Sequence, residues 1–191
     1  YHGGEIASAD KFSHGYFEAK IKIPAGTGYF PAVWGKMPAF LSDKPYQNEI
    51  DFFEFFGTDR KFYPGIHTWF DPNAQNLPNW IVNRDKKLTM VNDTEFVFAL
   101  PYASYELSDS SIYHTYGCEW TSEKLAFYLD GNLLVEKKFG GDYSDYYTAL
   151  REGDPIYIYL SNLVGYENTL PENIGYSLDV EYFRYYKPAN S

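Results

Sequence analysis

The chain is poor in cysteine, in clustered basic residues and in long apolar runs. Cys118 is the only cysteine among 191 residues, so an internal disulfide is excluded and no redox compartment is indicated. No apolar run reaches the roughly 20 residues that cross a bilayer, so we expect no membrane insertion. The formal net charge is −10 and lysine and arginine form no block, which disfavours nucleic acid as a partner. A neutral partner fits this charge better than an anionic one.

Aromatic residues are the abundant class. They make up 20% of the chain, with 20 tyrosines and 15 phenylalanines, and both types favour β-strands. The length fits one domain, residues 1–191, which can bury roughly 70% of the surface of its unfolded chain. Composition therefore predicts a single all-β domain that needs neither a metal nor a disulfide to fold.

Short stretches with a period of two predict strands along most of the chain. In residues 16–23, apolar side chains fall on one face and charged side chains on the other. The Asp130-Gly131 pair predicts a hairpin turn. About ten such strands at regular spacing predict a two-sheet β-sandwich or jelly roll. The predicted strands are 16–23, 29–34, 49–56, 62–70, 112–120, 125–129, 133–139, 156–160 and 176–186.

Two segments depart from the strand pattern. Residues 71–110 are rich in Asn, Asp, Pro and Ser and predict a long loop. A structureless loop of that length is uncommon in a compact domain, so we expect it to shape a binding cleft. Residues 144–151 predict one short helix.

Three carboxylates stand in a stretch that otherwise has the pattern of a buried strand. Glu49, Asp51 and Glu54 lie among four phenylalanines, although acidic side chains are poor strand formers and repel one another when crowded. Glu49 and Asp51 share a face of a regular strand, whereas Glu54 is out of phase by one residue. A β-bulge near Phe52-Phe53 would return Glu54 to their face, and we predict that bulge.

The predicted bulge makes a pair of catalytic carboxylates feasible. The Cα atoms of Glu49 and Glu54 would lie about 13 Å apart, and on a concave sheet the carboxyls would approach to about 5 Å, the spacing of a retaining glycosidase. We expect Glu49 to be the nucleophile, Asp51 to orient it, and Glu54 to be an acid/base whose pKa is raised by neighbouring charge. Two alternatives fit the same residues: solvated acids on an exposed strand, and a calcium site that lacks D-x-D-x-D spacing.

The chain resembles glycoside hydrolase family 16, whose signature is E-x-D-x-E or the bulged form E-x-D-x-x-E. The bulged form occurs here as Glu49-Ile50-Asp51-Phe52-Phe53-Glu54. The resemblance extends over nearly the whole chain and keeps the family's order of motifs. The other matching stretches are residues 4–8, 12–24, 31–34, 114–116, 119–120, 127–131 and 179–186.

The resemblance implies a concave jelly roll, concanavalin A-like, with an open cleft for an extended glycan. Because family members usually begin with further strands, we expect the catalytic domain to be N-terminally incomplete. The resemblance also implies four substrate-binding positions, for which packing within an aromatic-rich sandwich is the alternative role. These positions are Trp34, His67, Trp69 and Asn162.

The family's frequent structural calcium site has two weak counterparts in this sequence. Gly15 and Asp179 match two of its ligands, and a third contact is missing with the N-terminal segment. A structural calcium ion is therefore an option, and no metal or cofactor is expected to be required.

The bulged signature resembles that of laminarinases and agarases. It implies a retaining, endo-acting hydrolase of β-linked polysaccharide, with 1,3- or mixed-linkage β-glucan as first choice. Two alternatives stay open: a hydrolase of galactans such as agar, porphyran or carrageenan, and a noncatalytic, lectin-like carbohydrate-binding domain on the same fold. A polymeric substrate implies a secreted, periplasmic or cell-surface protein, and we expect a monomer.

Overall fold

The fold consists almost entirely of short β-strands. The computed structural model describes residues 3–23, 28–37, 46–55, 61–70, 89–92, 95–97, 104–107, 109, 111–141, 147–164 and 177–189. These ranges contain thirteen strands and one α-helix. The elements are β1 (Gly4–Ala7), β2 (Gly15–Lys22), β3 (Tyr29–Lys36), β4 (Tyr46–Phe55), β5 (Lys61–Phe70), β6 (Thr89–Asn92), β7 (Glu95–Val97), β8 (Tyr105–Glu106), β9 (His114–Trp120), β10 (Lys124–Leu129), β11 (Asn132–Lys138), α1 (Thr148–Glu152), β12 (Tyr157–Val164) and β13 (Asp179–Tyr186).

The strands form two antiparallel sheets. The first sheet has the order β1-β12-β3-β4-β5-β7-β6, and β8 also pairs with β5. The second sheet has the order β11-β10-β9-β2-β13. This arrangement is the predicted β-sandwich of jelly-roll type.

Alternation along the strands directs apolar side chains into the space between the sheets. In β2, buried and half-buried residues alternate without exception, so that Phe17, Ala19 and Ile21 reach the core. The second sheet adds Trp120, and the first sheet adds Phe53, both fully buried. Burial of such aromatic side chains contributes about 2 to 3 kcal/mol each, so this core holds the two sheets together.

Local predictions hold where the pattern was strong. Asp130 and Gly131 have φ values of 50° and 79° and form the predicted turn between β10 and β11. Helix α1 lies within the predicted helix, residues 144–151, apart from its last residue, and Gly153 ends it with a φ of 72°.

Other predictions need correction. The prediction of a loop over residues 71–110 is wrong in part, because β6, β7 and β8 lie within it and extend the first sheet. These strands have two to four residues, too few to show a period of two. Most of the remaining segment lies outside the described residues. The part of the chain that the structure describes contains no helix that is long and apolar enough to cross a membrane.

Candidate active site

The β4 strand contains the predicted bulge. On β5, Asp51 pairs with Gly65 and Glu54 pairs with Tyr63, so three steps along β4 match two steps along β5. On β3, Trp34 pairs with Asp51 and Val33 with Phe53, which shows the same extra residue. Pro64 lies opposite the irregularity, and proline, which has no N–H for the ladder, is tolerated at such positions.

The bulge places the three carboxylates on one face of the first sheet. Ile50, Phe52, Phe53 and Phe55 are all buried in the core between the sheets. The carboxylates take the opposite face, which we call the site face. Registers across β4 and β5 place Glu49 beside His67, Asp51 beside Gly65 and Glu54 beside Tyr63 on that face.

Neighbouring strands complete the site face in three rows that run across the sheet. Directly opposed residues point to the same side, so the register of each pair defines the rows. The first row is Glu5, Ser161, Ala32, Glu54 and Tyr63; the second is Ala7, Tyr159, Trp34, Asp51 and Gly65; the third is Tyr157, Lys36, Glu49 and His67.

Two side chains hold the Glu49 carboxylate. The indole Nε1 of Trp69 donates a hydrogen bond to Oε2 at 3.0 Å, and Nζ of Lys36 lies 3.2 Å from the same oxygen. The Lys36 ammonium also lies 4.0 Å from the centroid of the Trp69 ring. Lys36, Glu49 and Trp69 therefore form a three-way cluster, and only 12% of the Glu49 side chain is exposed.

Asp51 is bound to the neighbouring strand through His67. Nε2 of His67 lies 2.9 Å from Oδ2 of Asp51, which is within ion-pair distance. The angles of this contact are not those of a hydrogen bond. Gly65, opposite Asp51, leaves room for this contact. A Cβ atom there would lie 2.9 Å from Asp51 Oδ2 and 3.4 Å from His67 Nε2, so any other residue would disturb the pair.

Trp34 lies on the site face between Asp51 and Tyr159. Its ring stacks on the Tyr159 ring with centroids 4.3 Å apart and an interplanar angle of 19°. Its Nε1 donates a hydrogen bond to Oγ of Ser161 at 3.1 Å. The ring is therefore fixed from two sides, which suits a residue that packs against a flat ligand.

The site perturbs the protonation of Glu49. Burial raises the pKa of Glu49 from 4.5 to about 7, and the charge of Asp51 acts in the same direction. The positive charge of Lys36 opposes this shift, and so does that of His67 when its ring is protonated. The raised pKa expected at Glu54 stays a prediction, and the shift at Glu49 follows from the burial of its own side chain.

The structure does not bring all predicted site residues together. Asn162 pairs with Pro31, on the face of β12 that directs Ile158 towards the core. Its neighbour Ser161 faces Trp34 instead. An offset of one residue reverses the face of a strand, and the sequence alone did not fix that register.

The two weak calcium-ligand candidates, Gly15 and Asp179, also lie far apart. The prediction that they contact one calcium ion is therefore corrected. Gly15 and Asp179 lie at opposite ends of the ladder between β2 and β13, where Asp179 pairs with Lys22. Seven strand residues span about 23 Å, which is too far for two ligands of one ion. Nζ of Lys22 lies 2.8 Å from the Asp179 carboxylate and supplies its countercharge.

One group of described residues has the geometry to hold a metal ion. Ligand atoms of Glu49, Asp51 and His67 all lie within 4.8 Å of one another. The ammonium of Lys36 already lies beside the Glu49 carboxylate, and its charge opposes a second cation there. The arrangement therefore favours acid–base chemistry over metal binding.

Among the residues of the site face that sequence reasoning missed, those that contact or support the predicted ones are Lys36, Gly65, Tyr159 and Ser161. Lys36 could have been found, because it is two residues after Trp34 and so shares its face in a strand that continues past residue 34. Gly65 lies in the interior of a predicted strand, where glycine indicates a close approach. Tyr159 and Ser161 depend on the pairing of β12 with β3, which no local pattern reveals.

Comparison with known proteins relates this arrangement to one family. The family model described as "Glycosyl hydrolases family 16" matches residues 1–98, just over half of the chain and the part that contains β4 and β5. An endo-1,3-1,4-β-glycanase from Rhizobium meliloti is 24% identical over 168 residues. That alignment covers 86% of this chain and 28% of the relative, and the chain spans well under half the length of the curated relatives it matches.

Two solved structures have a similar fold. The laminarinase catalytic domain from Thermotoga maritima aligns with a TM-score of 0.65 and 20% identity, over 97% of this chain and 69% of that one. The κ-carrageenase from Pseudoalteromonas carrageenovora aligns with a TM-score of 0.68 and 20% identity, over 96% and 67%. At this identity the two structures support the fold alone.

Proposed function

The chain belongs to glycosyl hydrolases family 16, and from this premise we propose that it is a retaining, endo-acting glycoside hydrolase of β-linked polysaccharide. The bulge in β4 is the observation that carries this proposal. Without the extra residue, Glu54 would point into the core between the sheets, and a second carboxylate would be missing from the site face.

The two glutamates take different roles in the proposed reaction. Glu49 attacks the anomeric carbon, and Glu54 gives its proton to the leaving oxygen. In the second step Glu54 takes a proton from water, the water oxygen bonds to the anomeric carbon, and Glu49 leaves as a carboxylate. Asp51, bound to His67 and adjacent to Glu49 on the face, orients the nucleophile.

The spacing along β4 supports retention of configuration. The partners of Glu49 and Glu54 on β5 are His67 and Tyr63, four residues apart. That separation is about 13 Å between Cα atoms, and each glutamate side chain covers roughly 4 Å of it. About 5 Å then remains between the carboxyls, the separation of a retaining pair rather than an inverting one.

A 1,3- or mixed-linkage β-glucan is the substrate class that we propose first. A neutral glycan suits a chain with a net charge of −10. Lys36 does not offer its charge to a sulfate group, because it contacts Glu49. Trp34 and Trp69 lie on either side of the carboxylates, and one face of each ring packs on Tyr159 and on Lys36 respectively. The opposite faces of the two rings are the surfaces on which we propose that sugar rings stack. The Rhizobium meliloti relative is named for the same linkages.

A protein that acts on a polysaccharide must be located where the polymer is found. Long glycans do not cross membranes, so we propose that the protein is secreted, periplasmic or displayed at the cell surface. Fractionation of the producing cells, followed by immunodetection, tests this location. Recovery of the protein in the cytosolic fraction alone contradicts it.

A polysaccharide panel tests the proposed activity. We expect release of reducing ends from laminarin or mixed-linkage β-glucan, with the β-anomer formed first by proton NMR. E49Q and E54Q should each lower turnover by at least about 10³-fold, since each removes one half of the acid–nucleophile pair. E181Q is the matched control, because Glu181 lies on the second sheet beside Lys20.

Each outcome of that experiment has a distinct meaning. Turnover of agar or carrageenan in place of β-glucan overturns the substrate class and leaves the site intact. Binding without turnover by the parent protein indicates a lectin. Full activity in both E49Q and E54Q overturns the assignment of the site.

A further inference from the structure

Among the residues that the structure describes, Lys36 makes the closest cationic contact to the Glu49 carboxylate. Its Nζ lies 3.2 Å from Oε2, and the same ammonium lies 4.0 Å from the centre of the Trp69 ring. Trp69 in turn donates to the same oxygen at 3.0 Å. The three side chains come from three adjacent strands, β3, β4 and β5, and each one contacts the other two.

A plain cross-strand ion pair is the simpler explanation for this contact. Exposed pairs of that kind contribute at most about 1 kcal/mol to stability and hold no fixed geometry. Lys36 differs because only 24% of its side chain is exposed and its ammonium rests on an aromatic face. The contact is therefore fixed in place and only partly screened by solvent.

Charged and titratable groups approach Glu49 from every strand around it. Asp51 and Glu54 share its strand and its face, and Asp51 adds negative charge that disfavours the ionised form. His67 contacts Asp51. On β12, burial raises the pKa of the Tyr159 phenol, and the charge of Glu49 adds to this shift. Lys36 is the group in direct contact that carries positive charge throughout the neutral range.

From this geometry we infer that Lys36 is a positioning residue that keeps Glu49 ionised and holds its Oε2, so that Oε1 attacks the sugar. The inference rests on the proposed function, since it assigns the nucleophile's partner. Both contacts from described side chains go to Oε2, which leaves Oε1 to form the bond to the anomeric carbon while the glycosidic bond breaks. When water later displaces Glu49, the returning negative charge forms again beside Lys36.

Carbon-13 NMR of the glutamate carboxyls measures the titration of Glu49 directly, with E49Q to assign its signal. We expect K36M to raise the midpoint by about one pH unit or more, because it removes an opposite charge within 4 Å. K36Q should do the same, and serves if K36M does not fold. K36R should restore the midpoint to within a few tenths of a pH unit.

K22M is the matched control for these variants. It also removes a lysine from a lysine–carboxylate pair, that with Asp179 at 2.8 Å, but on the second sheet. The Glu49 midpoint should not move in K22M. If K36M and K36Q leave the midpoint where it is in the parent protein, or K22M moves it equally, the inference about Lys36 is overturned.

Kinetics separate this inference from the proposed function. On the substrate found with the panel, the acid limb of kcat/KM should move to higher pH in K36M and return in K36R. At a fixed pH on that limb, kcat/KM should fall about tenfold for each pH unit by which the limb moves. An unmoved limb in an active enzyme overturns the role of Lys36 alone. A higher NMR midpoint in a protein that cleaves no glycan overturns the activity and leaves the Lys36–Glu49 coupling standing.

Discussion

Each sheet of the sandwich carries a lysine–glutamate pair, and the two pairs differ in their surroundings. On the first sheet, Lys36 lies 3.2 Å from Glu49, whose side chain is 12% exposed. On the second sheet, Lys124 lies 2.8 Å from Glu136, whose side chain is 29% exposed. The pKa of Glu49 is raised, whereas the hydrogen bond from Lys124 lowers the pKa of Glu136.

The comparison shows that burial, and not the presence of a lysine, decides the direction in which the carboxyl pKa moves. Water supports both charges of the Lys124–Glu136 pair, so the salt bridge only adds to their solvation. Glu49 has lost much of that water and faces Asp51, and Lys36 offsets this loss only in part. One sandwich thus carries two similar contacts, one on an exposed surface and one beside a largely buried carboxylate.

The largest expected effect is on stability at alkaline pH. The folded pKa of Glu49 lies above its ordinary value, so its contribution to stability is present below about pH 4.5 and is lost as pH rises through about 7. E49Q does not titrate. We therefore compare the free energy of unfolding of E49Q with that of the parent at two pH values. The difference, E49Q minus parent, should be about 3 kcal/mol larger at pH 8 than at pH 4.

Urea denaturation at both pH values measures this difference. K22M serves as a reference for a charge change far from the site face, and should show no comparable gain at pH 8. A difference in stability between E49Q and the parent that is the same at pH 4 and at pH 8 would contradict the raised pKa and remove the contrast between the two pairs.

The next largest effect concerns Gly65, which lies opposite Asp51 and leaves room for its contact with His67. In G65A the new Cβ would lie 2.9 Å from Asp51 Oδ2 and would push the carboxylate away from His67. A displacement of a catalytic group on the order of 1 Å costs about 10²-fold in turnover, so we expect a loss of that size in G65A. G140A, where a Cβ meets no atom within 4 Å, should retain full activity. Equal turnover of G65A and G140A would show that Asp51 does not need its present position.

The pH dependence of activity gives a smaller, graded effect. If Glu49 must be ionised to attack, kcat/KM should fall about tenfold for each pH unit below about 7. The profile is measured on the substrate that the panel identifies, with E181Q as the control. An acid limb near pH 4.5, the ordinary value for glutamate, would mean that substrate-free Glu49 is ionised more readily than its burial predicts.

Much of the fold could be predicted because strand alternation is local. The pattern of residues 16–23 corresponds to β2, and the phase error between Asp51 and Glu54 predicted the bulge that the register confirms. Burial of a charged side chain among phenylalanines costs much free energy, so each carboxylate of β4 is expected on the face that points away from the core. Catalytic roles for the carboxylates stay predictions, because position on a face does not establish reactivity.

The rest of the site could not be predicted because it depends on which strands become neighbours. Tyr159 reaches Trp34 only through the pairing of β12 with β3, more than a hundred residues apart in the chain. The faces of Asn162 and Ser161 depend on the same pairing, since register decides which of two adjacent residues lies on the site face. The raised pKa of Glu49 likewise follows from burial, which the order of residues along β4 does not reveal.

The smallest expected effect comes from the second-sheet pair and has the opposite sign to that of E49Q. The pKa of Glu136 is lowered. Glu136 therefore stabilises the fold at pH values above the ordinary glutamate pKa, and this contribution is lost as the pH falls. E136Q should therefore lower the melting temperature slightly at pH 8, and about 1 M salt should remove most of the difference, because an exposed pair is screened. The gain in E49Q should persist in the same salt, since Glu49 is buried. Thermal unfolding of both variants at low and high salt measures this contrast, and an equal response to salt would mean that the two pairs experience similar surroundings after all.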